Sequence, residues 1–97
     1  MDEQDYTDFM AALGEEYCEI VSPLCEHGAQ PQDGYEVFGK VLGYDAITPE
    51  KLHAAQNSSA DLARIRDAAR QWHESERISD DHVREVLRRV LRRWPPA

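Results

Sequence analysis

The sequence predicts an all-α protein, a compact bundle of about five helices in a single domain. Three observations carry this. Apolar residues recur at helical spacing in successive segments. Capping or breaking residues bound each segment. No stretch alternates apolar and polar residues as a half-buried strand does. The 97-residue length suits one domain. A chain of that size buries roughly 60–70% of its unfolded surface, so the core is modest.

The first helix is expected over about residues 5–22. Tyr6, Phe9, Met10, Leu13, Tyr17, Ile20 and Val21 fall within an arc of roughly 120°. Asp5, Asp8, Glu15, Glu16 and Glu19 fill a separate arc of about 100°. Asp5 or Thr7 is the expected N-cap. Gly14 interrupts the pattern at a cost of about 1 kcal/mol relative to alanine.

Ser22-Pro23 reads as a break, followed by a short turn that ends near Gly28. Residues 28–34, with two glycines and a proline, read as a loop. Asp33 followed by Glu36 resembles a capping box that opens a second helix. That helix carries Tyr35, Val37, Phe38, Val41 and Leu42, and Gly43 closes it. Thr48-Pro49-Glu50 starts a short third helix through Leu52 and Ala55. Asn57-Ser58-Ser59 is a break and the next cap. A fourth helix, about 60–75, is expected to bury Leu62, Ile65, Ala69 and Trp72. The fifth has Ser79 as N-cap, with Ile78 and Val83 at the hydrophobic-staple positions. Its stripe of Val83, Val86, Leu87, Val90, Leu91 and Trp94 runs unbroken to Pro95-Pro96.

Charge is divided unevenly along the chain. Residues 1–50 hold twelve acids and one base, Lys40, a balance of −11; residues 51–97 hold seven acids and ten bases, a balance of +3. Charge of this kind governs encounter and choice of partner. No base precedes Lys40 to offset the acidic ridge locally. Asp5, Asp8, Glu15, Glu16 and Glu19 are therefore read as a docking face for a basic or nucleic-acid-binding protein. Such a face acts as a nucleic-acid mimic in a groove that normally receives phosphates. Reversal of Glu15, Glu16 and Glu19 to lysine is expected to leave the fold intact.

Arg84, Arg88, Arg89, Arg92 and Arg93 form a second candidate surface. Read as a phosphate-contacting helix, they make a nucleic-acid-binding transcriptional regulator the alternative function. An acidic pI near 4.8 argues against that alternative. Asp80–Arg84 and Glu85–Arg89 are expected as one-turn pairs within the helix. The arginines could also face the chain's own acidic half, within the fold or across a homodimer. A helix-turn-helix over residues 38–56 would read DNA with Glu50, Lys51, His53 and Gln56, a poor set for a phosphate-lined groove.

No catalytic signature is present, neither a nucleophile elbow nor a phosphate-binding glycine loop. Cys18, Cys25 and His27 lack a second paired motif, so no metal and no cofactor are expected. Cys18 and Cys25 on one helix would be about 10 Å apart by rise alone, too far to bridge, and are read as buried free thiols. The acidic opening lacks the apolar run of a secretory signal, and no stretch reaches the ~20 apolar residues of a membrane span. A cytoplasmic, non-enzymatic binding protein is the expectation. Inhibitors, immunity proteins, antitoxins and phage anti-defence proteins all suit this physical description.

Overall fold

In the computed structural model, which describes residues 1–96, the chain is 77% helical and contains no strand among the described residues. Five α-helices follow in order: α1 (Glu3–Val21), α2 (Pro31–Leu42), α3 (Pro49–Gln56), α4 (Ser59–His73) and α5 (Asp80–Arg93). Short 3₁₀ turns at Ser22–Leu24 and Tyr44–Ala46 lie between the first three.

Local capping explains the boundaries. Asp2, rather than Asp5 or Thr7, caps α1 by accepting the Asp5 N–H at 2.8 Å. That choice places Glu3 and Asp5 in the first turn, where carboxylates favour the helix dipole. Helix α2 begins three residues before the expected start at the end of a shorter loop. Pro31 takes the first helical position, where its missing N–H costs nothing. Asp33 acts one turn inside the helix, and its carboxylate accepts the Gln30 N–H at 2.8 Å. Gly43, at φ +99°, closes α2 in a region that side chains rarely enter.

Thr48, Ser58 and Ser79 cap α3, α4 and α5, each accepting a backbone N–H three residues on. His82 completes the last cap, its Nδ1 accepting the Ser79 N–H at 3.0 Å.

Helix α1 packs against α2 on one side and α5 on the other; α4 closes on α2 and α5, and α3 lies across α4 and α5. The radius of gyration, 12.1 Å, is close to the roughly 12.5 Å expected of a compact chain this long. One contiguous core joins Phe9, Leu13, Tyr17 and Val21 of α1 to residues of every other helix. Tyr17 stands edge-on to Phe38, with ring centroids 6.2 Å apart, and Trp94 covers Phe9 in the same manner at 6.4 Å. A Cβ on Gly14 would lie 2.9 Å from that of Pro31, and one on Gly34 would lie 3.0 Å from that of Tyr17. The helical penalty of Gly14 is thus offset by the close approach of α1 and α2.

Trp72 is not a core residue; it is 41% exposed. At 100° per residue it lies within about 20° of buried Ile65, as His73 lies within about 20° of buried Leu62, so angle alone would admit both; in the last turn of α4 it is His73 that meets Tyr17 of α1. His73 therefore takes the inward position at the end of α4. Trp72 rests on the surface, its indole N–H donating to Asp33 at 3.0 Å and Lys40 Nζ lying 4.8 Å from its ring centroid.

Leu87 is fully buried at the centre of the α5 stripe. Leu87→Ala is expected to cost about 2–5 kcal/mol, read as a lower midpoint in denaturant. Gln71→Ala, on the exposed side of α4, should move the midpoint far less.

Candidate functional site

The apolar stripe of α5 docks its flank beside the acidic ridge of α1. Arg89 and Arg93, one turn apart on α5, consequently reach Glu15, Glu16 and Glu19. Arg89 Nη1 lies 3.0 Å from Glu19 and 3.6 Å from Glu16, while its Nε donates to Glu85 at 3.0 Å. Arg93 Nη1 lies 3.5 Å from Glu15 and 3.6 Å from Glu16. Three carboxylates from two helices converge on Arg89. The hydrogen bonds to Glu85 and Glu19 hold its guanidinium firmly in the charged form. The same pairing depresses the Glu85 carboxyl below the usual carboxylate range.

The expected acidic ridge is therefore divided. Glu16 keeps only 14% of its side-chain surface exposed, and its Oε2 is buried without a hydrogen bond. Glu15 and Glu19 remain on the rim, ion-paired but largely exposed. Asp5 and Asp8 are exposed, as are Asp2 and Glu3 beside them, and none of the four is in an ion pair among the described residues. Asp8 accepts the Gln4 side-chain N–H at 3.0 Å.

The ion pairs also overturn the expectation that lysine at 15, 16 and 19 would leave the fold undisturbed. Three ammonium groups would there face Arg89 and Arg93.

The arginines are mostly occupied. Arg84 pairs with Asp81 at 3.0 Å, not with Asp80, which turns instead to Arg66 on α4. Arg88 forms a two-pronged pair with Glu85. Arg92 is exposed and makes no ion pair among the described residues.

A second cluster escaped the sequence pattern. Tyr17, at 2% exposure, brings its hydroxyl within 2.8 Å of His73 Nε2. Burial pushes the Tyr17 phenol up and the His73 imidazole down, with nearby Asp33 partly opposing the latter. A neutral imidazole with its proton on Nδ1 accepts a hydrogen bond from the phenol here, which gives the buried hydroxyl a partner. The sequence signal was faint, because residues 17 and 73 lie on different helices and neither periodicity pairs them.

Cys18 and Cys25 are free and only half-buried. Their thiols donate to Ala29 and Val21 carbonyls at 2.8 and 3.3 Å. Burial, reinforced by Asp33, pushes the Cys25 thiol up, which keeps it protonated and a poor nucleophile. Among the described residues no three His, Cys, Asp or Glu side chains are grouped to hold a metal ion. No helix among them is long and apolar enough to cross a membrane.

Comparison with known proteins yields no match to any family model, curated protein or solved structure.

Two expectations follow from the buried polar groups. Arg89→Met removes one of the two cations facing Glu16, and with it the pairs to Glu19 and Glu85, and should lower the melting midpoint more than Arg88→Met does. Glu16→Gln should restore part of that loss in the Arg89→Met background, a coupling read by a double-mutant cycle. His73 has a folded pKa below its ordinary value of 6.5, so the unfolded chain binds the proton more readily. Stability should therefore fall as pH drops through about 6.5 toward the lower folded value. Denaturant midpoints at pH 7.5 and 5.5 should differ less in His73→Phe than in the wild type.

Proposed function

We propose that this chain is a small non-enzymatic protein that binds a basic partner protein through the acidic side of α1. An inhibitor of the immunity, antitoxin or phage anti-defence kind is the role this suits best. The observation that carries the reading is the row of exposed carboxylates at Asp2, Glu3, Asp5 and Asp8, in no ion pair among the described residues. The α1 dipole offsets only about half a unit of this charge. Glu15 and Glu19, 63% and 68% exposed, extend the strip toward α5. Carboxylates on a rigid helix suit a groove that otherwise receives phosphates.

The internal pairing of α5 weakens the alternative of a nucleic-acid regulator. Four of its five candidate arginines already contact carboxylates, leaving Arg92 outside any ion pair among the described residues.

The test compares the wild type with a triple reversal, Glu3→Lys, Asp5→Lys and Asp8→Lys, which spares the Asp2 cap. Partner capture from a native lysate is followed by association kinetics at several salt concentrations. Reversal should slow association by about tenfold or more and flatten its salt dependence. Unchanged kinetics after reversal would overturn the reading. Nanomolar binding of a DNA duplex that weakens steeply with salt would transfer the function to the arginine helix.

A further inference from the structure

Beside the exposed carboxylates of α1 lies an apolar cleft. Its walls are Met1 and Tyr6 of the N-terminal segment, Thr48, Pro49 and Glu50 at the start of α3, and Pro95 beyond α5. Three separate parts of the chain thus frame one depression. Tyr6 is 38% exposed and Met1 64%, although both are large apolar residues at the edge of a well-filled core. Sequence periodicity placed Tyr6 on the buried stripe. In the structure the stripe closes at Phe9, under Trp94, and leaves Tyr6 uncovered one turn earlier.

Charge and shape coincide here. Asp2 and Glu3 lie four and three residues before Tyr6, so they sit one turn away on its own side of α1. Asp2 is exposed even while it caps the helix through one oxygen. The cleft is therefore an apolar depression with Glu50 in its wall and with Asp2 and Glu3 one helical turn from its Tyr6. No lysine or arginine lines it. Such a site disfavours an acidic or a wholly polar ligand. It favours a side chain that fills the depression while neighbouring cations reach the rim.

We infer that this cleft receives an extended segment of the partner in which an apolar side chain is flanked by lysine or arginine. The inference rests on the reading of α1 as a contact surface for a basic protein. It adds a specificity element to that surface: the carboxylates draw in a basic partner, and the cleft selects among basic partners. Rim charges chiefly set association rate, whereas an anchored apolar side chain slows dissociation.

The test uses the full chain and a capped heptapeptide, Lys-Arg-Leu-Pro-Leu-Arg-Lys, followed by amide chemical shifts. Two control peptides replace both leucines with serine, or every lysine and arginine with glutamine. The parent peptide should shift Tyr6, Thr48 and Glu50. Tyr6→Ser or Pro95→Ser should weaken binding by about tenfold while the helical CD spectrum is retained. Both control peptides should bind more weakly than the parent. If the serine peptide binds equally well and shifts only residues 2–8, the cleft inference fails and the acidic surface stands. If the glutamine peptide binds as well as the parent, the partner is not selected by charge and both readings fail. No binding by any of the three at millimolar concentration also overturns both.

Discussion

The packing of this molecule is organised on the buried stripe of α1. Phe9, Leu13, Tyr17 and Val21 present apolar surface to two sides at once, so α2 and α5 must close on the same rod. Small residues permit the first contact, at Gly14 and Gly34, where any side chain would collide with its neighbour. A continuous run of valine and leucine on α5 makes the second. Helices α3 and α4 then fill the space left between these two. A domain this small has little apolar area to spare, and the burial of each of these side chains is a sizeable share of its marginal stability.

The electrostatics follow from that packing. Once α5 lies along α1, residues flanking its apolar stripe have no choice of neighbour. Arg89 and Arg93 meet the glutamates of α1 because the stripes, not the charges, fix the register. The result is a network with an exposed rim and a shielded centre at Glu16. Pairs on such a rim contribute little individually, but a partly desolvated carboxylate depends on its cations. Three of the twelve acids of the first half, Glu15, Glu16 and Glu19, are thereby tied to arginines of the second. Four of the remaining acids, Asp2, Glu3, Asp5 and Asp8, stand together at the N-terminal end of α1.

A different constraint governs the opposite side of the molecule. Tyr17 is too large to turn away from the core, and its hydroxyl must find an acceptor inside it. His73 supplies one at the end of α4. This polar contact ties the end of α4 directly to α1. It also makes stability at this end depend on keeping the imidazole neutral. Asp33 serves nearby in two ways at once, closing the first turn of α2 and holding the indole of Trp72.

The sequence by itself determined the fold class, the order of the helices and most of their ends. Those features depend on periodicity and on capping chemistry within a few residues, as at Thr48, Ser79 and Gly43. It also determined the uneven charge and the amphipathic character of α1 and α5. It misplaced the start of α2, because Pro31 at a first helical position and Pro31 in a loop look alike until the chain direction is known. It placed Trp72 and Tyr6 in the core because a wheel shows which face is apolar, not where along the helix a neighbour ends. Only the tertiary structure decided that Glu16 faces Arg89 and Arg93, that Tyr17 meets His73, and that an apolar cleft opens beside Asp2 and Glu3. Each of these joins residues dozens of positions apart, and their meeting depends on helix crossing and register, which no local pattern encodes.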